Sequence, residues 1–290
     1  MGKFTNALVL MRIPFSIFLM PIFWFALIAA DQAFKNWENV VLIFFILHVL
    51  VYPASNGYNS YFDKDEEAIG GLEKPPKVNI ELFYLVVIFD ILSIALSLFI
   101  SLEFALCIFI YLMVSKAYSW DKIRLKKYPI LSTLVVTIFQ GSFVYILINL
   151  GLSQFLIWNT QTVLMAITST LFLMGSYPIT QIYQHNEDTK RGDKTLSLLL
   201  GIKGTFIFSG AVFLLATGLM MFTFFESQQH QNIIIFLVAT FPILWFFSKW
   251  AVKCFKNPSS ANFKNTMSMN KISSICLSAA FIIMKLNLFA

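Results

Sequence analysis

Apolar segments of about 20 residues recur along this chain and are separated by short polar stretches. A helix of that length can cross the hydrocarbon core of a bilayer, so each segment predicts a membrane-spanning helix. The predicted fold is all-α and integral to a membrane, with nine transmembrane helices in one bundle. We expect residues 1–290 to form one domain, because nine spans leave little chain for another. The predicted segments lie near residues 13–30, 38–62, 79–100, 102–119, 129–150, 161–184, 203–225, 231–252 and 271–289.

Composition and charge support this class of protein. Hydrophobic residues make up 58% of the chain and charged residues only 12%, which excludes an ordinary soluble globular protein. If the N-terminus is cytoplasmic, 19 of the 21 Lys and Arg residues fall on the cytoplasmic side, and only Lys35 and Lys285 do not. This asymmetry follows the positive-inside rule and predicts that the C-terminus is outside. It also explains the net charge of +6 without a nucleic-acid partner. The expected location is a bacterial inner membrane.

A polar motif, Asn59-Ser-Tyr-Phe-Asp63-Lys-Asp65-Glu66-Glu67, follows the second apolar segment. Asn59, Asp63 and Glu67 are spaced i, i+4, i+8, so on a helix they share one face. Clustered acids raise one another's pKa unless a cation compensates, and ligands with only oxygen donors favour Mg²⁺. A solvated acidic helix end is the competing interpretation.

An internal repeat favours a functional role for this motif. Tyr52-Pro53-Ala-Ser-Asn-Gly-Tyr-Asn59-Ser-Tyr-Phe-Asp63 matches Tyr177-Pro178-Ile-Thr-Gln-Ile-Tyr-Gln184-His-Asn-Glu-Asp188 in identity or type at seven of twelve positions, at a constant offset of 125 residues. The predicted helices that end near residues 62 and 187 therefore form a pseudo-repeat. Because repeats in membrane proteins commonly place a site between their equivalent helices, we expect both motifs to meet on the cytoplasmic side.

Basic residues lie beside both motifs on the same predicted side of the membrane. Lys74 is on a loop rich in Gly and Pro, and Lys190 and Arg191 follow the second motif. Tyr118 and Lys122, spaced i, i+4, end the fourth segment and can point the same way. Topology alone accounts for these cations, but they are also suited to bind phosphate oxygens.

Two polar residues lie inside apolar segments, where they are costly. Asp90 is near the middle of the third segment and Gln140 lies in the fifth. Each is either a structural hydrogen-bonding group or a candidate for binding a second substrate.

Taken together, these motifs resemble those of the UbiA-type intramembrane prenyltransferases over essentially the whole chain. Asn59-x-x-x-Asp63-x-x-x-Glu67 looks like the family's NDxxDxxxD motif, and Gln184-x-x-x-Asp188 followed by Gly and Thr looks like its second motif. Tyr118-x-x-x-Lys122 matches its YxxxK element, and Lys74-Pro75 stands where many members have Arg-Pro.

The resemblance implies a central cavity that opens to the cytoplasmic side. It also implies Mg²⁺-dependent transfer of an isoprenoid chain from a polyprenyl diphosphate to a small, often aromatic, acceptor within membrane lipid. It implies catalytic roles for Asp63, Asp188, Lys122 and Tyr118, and acceptor binding near Asp90 or Gln140. The implied magnesium ligands are Asn59, Asp63, Glu67, Gln184 and Asp188. The implied diphosphate-binding residues are Lys74, Tyr118, Lys122, Lys190 and Arg191.

Three positions depart from the family pattern. Ser60 replaces an acid, Glu67 replaces Asp, and Gln184 replaces the first Asp of the second motif. Gln184 can offer an oxygen but no charge, so Glu187 or Asp193 is needed if that charge is to be restored. Two alternatives remain open at this point, an intramembrane terpene cyclase and a non-catalytic carrier of an isoprenoid or a cation.

Overall fold

The computed structural model describes residues 2–30, 36–156 and 158–286. Within these ranges the chain is helical and has no strand beyond one isolated bridge between Ile69 and Leu72. The all-α membrane class and the nine spans are confirmed, while the single domain stays a prediction. Lys35 and residues 287–289 lie outside the described ranges. The spans, numbered 1 to 9, are Lys3–Ala29, Trp37–Asp63, Ile80–Ser97, Leu102–Ser119, Pro129–Ser153, Thr160–Gln181, Leu196–Glu226, His230–Lys256 and Phe263–Leu286.

Side-chain caps fix where several spans begin. A capping side chain accepts a hydrogen bond from a backbone N–H that has no partner within the first turn of the helix. The caps of spans 3, 4, 6 and 7 are Asn79, Ser101, Asn159 and Thr195, respectively.

Span 1 begins ten residues before the predicted segment. Its first helix, Lys3–Met11, buries Ala7, Leu10 and Met11 against span 3 in a small core, which offsets the polar residues at its start. Arg12 then takes a left-handed conformation (φ 52°), and a 3₁₀ turn over Ile13–Leu19 leads into the second helix, Met20–Ala29. The break puts Arg12 on the inside of the bundle.

Two spans contain a wide π-helical turn. In span 2 this turn covers Ile46–Val51, and in span 5 it covers Phe139–Phe143. Such turns insert an extra residue into an α-helix and occur often at functional sites. The turn in span 5 includes Gln140 and Gly141 and packs directly on span 6.

Gly141 allows spans 5 and 6 to approach closely. A Cβ at this position would lie 2.7 Å from Cα of Thr170 and 2.8 Å from its backbone nitrogen. Because backbone atoms cannot yield as a flexible side chain can, we expect Gly141→Ala to destabilise the protein by about 1–3 kcal/mol. Thermal unfolding in detergent measures the change. Gly218→Ala is the control, because its Cβ would meet nothing within 4 Å. Equal melting temperatures for the two variants would contradict this packing argument.

Candidate functional site

A cavity of about 430 Å³ lies between the spans. Much of its lining is apolar or aromatic, including Phe25, Tyr111 and Phe139. The charged residues that line it are Arg12, Asp63, Asp65, Lys126, Asp188, Arg191 and Asp193. The charged residues are neighbours, joined largely by ion pairs, so the cavity combines one ionic cluster with a largely apolar interior. That it opens to the cytoplasm stays a prediction.

The first motif reaches the cavity only through its first half. The helix of span 2 ends at Asp63, because Lys64 adopts a left-handed conformation (φ 51°). Asn59 and Asp63 therefore lie one turn apart, and Asn59 accepts a hydrogen bond from Ser119 at 2.7 Å. The predicted helical face running on to Glu67 is wrong, since the chain leaves the helix four residues earlier. The Glu67 side chain is 43% exposed, does not line the cavity, and pairs with Lys190 at 2.6 Å.

The second motif lies on two elements instead of one. Span 6 ends at Gln181, three residues before the predicted end, and a separate short helix covers His185–Arg191. Gln184 and Asp188 both line the cavity. The Gln184 amide donates to the carbonyl of Ala68 at 3.4 Å, so it ties the two motif regions together.

The Asp63 carboxylate is buried among basic side chains. Nζ of Lys126 lies 2.6 Å from its Oδ1, and Arg124 and Arg191 each approach within 3.7 Å. Only 4% of the Asp63 side chain is exposed. Arg191 also contacts Asp65, at 3.3 Å. Acidic and basic side chains are thus interleaved in space at this site.

Two important residues, Arg124 and Lys126, were missed by sequence reasoning, and Asp193 was considered only as a source of charge and not as their partner. Arg124 makes two hydrogen bonds to Asp193, Nε to Oδ1 at 3.0 Å and Nη2 to Oδ2 at 2.9 Å. Lys126 lies 3.1 Å from the same carboxylate. Burial opposes ionisation of Asp193, but hydrogen bonds and charge from these two cations outweigh it and lower its pKa. The helix of span 4 ends at Ser119, so spacing counted from Tyr118 along a helix does not predict which later side chains face the cavity.

The structure separates Tyr118 from Lys122. Tyr118 lines the cavity, and its hydroxyl lies 2.6 Å from that of Tyr177. Lys122 lies beyond the helix end, is exposed, and has its ammonium 5.6 Å from the ring centre of Trp120. Lys74 is also exposed and does not line the cavity. Of the predicted diphosphate-binding residues, the structure therefore brings only Tyr118 and Arg191 to the cavity.

Arg12 is a further cavity residue that the motifs did not indicate. Its guanidinium donates to the backbone carbonyls of Gly70 at 3.2 Å and Asn56 at 3.0 Å. Among the basic residues described as lining the cavity, it alone has no carboxylate within ion-pair distance. A buried cation paired only with carbonyls is favourably placed to receive an anion.

The two candidate acceptor residues have different surroundings. Asp90 does not line the cavity, and it forms an ion pair with Lys116 at 2.9 Å between spans 3 and 4. This pairing meets the need of a membrane carboxylate for a partner. Gln140 lines the cavity from the π-helical turn of span 5.

Two acids that line the cavity, Asp65 and Asp188, have raised pKa values, so a bound cation would favour their ionised forms. Burial, with a smaller contribution from Asp63, raises the pKa of Asp65 from 3.8 to about 6, although Lys126 and Arg191 oppose the shift. Burial likewise raises the pKa of Asp188 to about 7. Within the described ranges, no three His, Cys, Asp or Glu residues are grouped closely enough to hold a metal, because basic side chains lie between the acids.

The fold and the site define a membrane-embedded protein with an ion-lined cavity, and comparison of the sequence supplies its family. The model of the UbiA prenyltransferase family matches residues 18–273, so this chain belongs to that family. No curated protein sequence matches the chain.

Several solved structures share this fold. A UbiA homologue from Aeropyrum pernix K1, without ligand, has 18% identity and a TM-score of 0.71, covering 94% of this chain and 98% of its own. A homologue from Archaeoglobus fulgidus, bound to DMAPP and Mg²⁺, has 16% identity and a TM-score of 0.66, with 98% and 99% covered. A digeranylgeranylglyceryl phosphate synthase has 20% identity and a TM-score of 0.63, with 99% and 100% covered.

Proposed function

We propose that this protein is a Mg²⁺-dependent intramembrane prenyltransferase that moves an isoprenoid chain from a polyprenyl diphosphate to a small aromatic acceptor. The observation that carries the proposal is the buried cluster of acids and bases next to an apolar cavity. A prenyl diphosphate has the matching division between a highly charged head and a hydrocarbon chain. Membership of the family and the ligands of the Archaeoglobus fulgidus homologue support the same assignment.

The chemical type of the cavity's oxygen donors fits Mg²⁺, although in this structure basic side chains stand between the acids, which would have to exchange partners for the ion. Asn59, Asp63, Asp65, Gln184 and Asp188 offer carboxylate or amide oxygens, which are the ligands this hard ion prefers. We propose them as the magnesium-binding residues. When bound, Mg²⁺ would neutralise negative charge that develops on the departing diphosphate. Glu67 could join this set only by leaving Lys190, so we replace it with Asp65.

Basic residues of the cavity would bind the diphosphate directly. The cavity is lined by Lys126, Arg191 and Arg12. Diphosphate oxygens could replace Asp63 as the partner of Lys126 and Asp65 as the partner of Arg191. Cations fixed in a dry site stabilise a leaving anion more than they would in water. Lys74, Lys122 and Lys190 would contribute only to the field outside the cavity.

Aromatic side chains would protect the allylic carbocation left by ionisation. Tyr52, Tyr111 and Phe139 line the cavity, and aromatic faces attract cations. Water must be kept from this intermediate, which an apolar lining achieves. Gln140 is the candidate for hydrogen bonding the acceptor.

The proposal is tested by incubating purified protein and Mg²⁺ with labelled prenyl diphosphates of several lengths, with and without a panel of phenols. We expect diphosphate release and a prenylated phenol, identified by mass spectrometry. Release with a cyclic product and no need for an acceptor would establish the cyclase instead. Binding of the donor without release under any condition would establish the carrier.

The pKa values of Asp65 and Asp188 predict how Mg²⁺ binding depends on pH. Because the folded protein holds these two protons more tightly than the unfolded chain does, their protonation stabilises the metal-free fold. This contribution is complete below the unfolded pKa values near 4 and is lost as the pH rises through about 6 for Asp65 and about 7 for Asp188. Mg²⁺ binds their ionised forms, so we expect it to raise the melting temperature more at about pH 8 than at about pH 5.5. Asp188→Asn should reduce this difference. An equal gain at both pH values in the unaltered protein would contradict the prediction.

A further inference from the structure

Lys126 lies between two carboxylates that come from different parts of the chain. Its ammonium is 2.6 Å from Oδ1 of Asp63, at the end of span 2, and 3.1 Å from Oδ2 of Asp193, just before span 7. The three side chains are buried, with exposed fractions of 9%, 4% and 2%, respectively. The Lys126 ammonium therefore bridges two buried carboxylates.

The two acids are held differently. Both oxygens of Asp193 accept hydrogen bonds from Arg124, which lies behind it and outside the cavity lining. The Asp193 backbone N–H also donates to the carbonyl of Asp188 at 2.9 Å, across the left-handed Gly192. Asp63 has no such bidentate partner, since Arg124 and Arg191 reach it only at 3.7 Å. Asp193 is fixed, whereas Asp63 can exchange partners.

We propose that Asp193 is a positioning residue that holds Lys126 at the diphosphate end of the cavity while Asp63 turns to Mg²⁺. This inference rests on the proposed function. A buried ammonium that lost its only carboxylate would be strongly destabilised. With Asp193 in place, Lys126 keeps one counter-ion when Asp63 turns away, so its ammonium is held where the diphosphate can reach it.

Removing the carboxylate of Asp193 should therefore weaken Mg²⁺ binding. In Asp193→Asn, Lys126 would depend on Asp63 alone and would compete with Mg²⁺ for it. We expect the Mg²⁺ concentration at half-maximal thermal stabilisation, without prenyl diphosphate, to rise about tenfold or more, the effect typical of residues that support metal ligands. The Mg²⁺ requirement of diphosphate release should rise in parallel.

The control is Asp121→Asn, which also removes a carboxylate from Arg124. Asp121 contacts Arg124 at 2.9 Å, but its side chain is 65% exposed and it does not line the cavity. Its Mg²⁺ titration should match that of the unaltered protein. If the two Asn variants titrate alike, or if Asp193→Asn loses melting temperature with an unchanged Mg²⁺ midpoint, Asp193 is only structural and the inference is overturned.

Two further variants keep the test decisive if Asp193→Asn folds poorly. Asp193→Glu keeps the charge and should restore the midpoint to near that of the unaltered protein. The double variant Lys126→Met/Asp193→Asn removes the ammonium that competes with Mg²⁺ for Asp63, so it should bind Mg²⁺ more tightly than Asp193→Asn does. If Asp193→Asn cannot be purified, the double variant is compared with the unaltered protein and should bind Mg²⁺ at least as tightly. Weaker Mg²⁺ binding than the protein used for comparison would contradict the proposed competition. If the unaltered protein releases no diphosphate, the proposed function fails, while these Mg²⁺ titrations still judge Asp193.

Discussion

Asp63→Ala and Asp188→Ala should each reduce Mg²⁺-dependent diphosphate release by at least about a hundredfold, the scale seen when one group that stabilises a developing charge is removed. Asp63→Ala also leaves Lys126 without its nearest partner, at 2.6 Å. Asp188→Ala removes a cavity carboxylate whose pKa, raised to about 7, would fall when a cation binds. Release of diphosphate from a labelled prenyl donor is the measurement.

Glu67→Gln is the matched control for these variants. Glu67 belongs to the same acidic stretch, but it is exposed and pairs with Lys190 away from the cavity. We expect Glu67→Gln to retain most activity. Isosteric Asp63→Asn and Asp188→Asn variants should be as inactive as the Ala variants while keeping the melting temperature closer to that of the unaltered protein. Unchanged turnover in both purified Ala variants would remove the assigned magnesium site.

Lys126→Met should lower kcat and raise the KM for the prenyl diphosphate, with a combined loss in kcat/KM of about a hundredfold. The substitution removes a buried charge that lines the cavity. The fold should survive, because Asp193 keeps its two hydrogen bonds from Arg124. Steady-state kinetics in detergent at several donor concentrations separates the effects on kcat and KM.

The informative comparison is Lys122→Met. The sequence pattern Tyr118-x-x-x-Lys122 predicts the larger loss at Lys122, while the structure places that side chain against Trp120, outside the cavity. We therefore expect Lys122→Met to stay within about twofold of the unaltered protein, as is usual for an exposed charge. A larger loss at Lys122 than at Lys126 would show that this turn rearranges when the donor binds.

The sequence predicted the membrane fold well because long apolar helices leave a strong and simple signal. Hydropathy and length suffice for a span, since a bilayer has room for few alternatives. Spans 2, 4 and 6 accordingly end close to the polar motifs, and Asn59, Asp63, Gln184 and Asp188 all line the cavity as the repeat implied. Their roles as metal ligands remain proposals.

Several details that failed to follow from the sequence lie where helices end or break. Periodic spacing describes a side chain's direction only while the helix continues, and helix ends depend on one left-handed residue. Lys64 ends span 2 before Glu67, and the left-handed Arg124 turns the chain so that Lys126, not Lys122, faces inward. Asp193 was considered only as a source of charge, because nothing in its local sequence reveals a partner 69 residues away.

The π-helical turn at Ile46–Val51 has a consequence for evolution of the protein. One added residue rotates the following helix by roughly 100° relative to an uninterrupted one, given 3.6 residues per turn. The azimuth of Asn59 and Asp63 is thus determined a dozen residues upstream, in a segment that carries no polar motif. Deletion of one residue in this turn would rotate the side chains of Asn59 and Asp63 away from the charged cluster, although the sequence of the motif would be unchanged. Homologues that keep the motif but lack this residue should therefore be screened for lost catalysis.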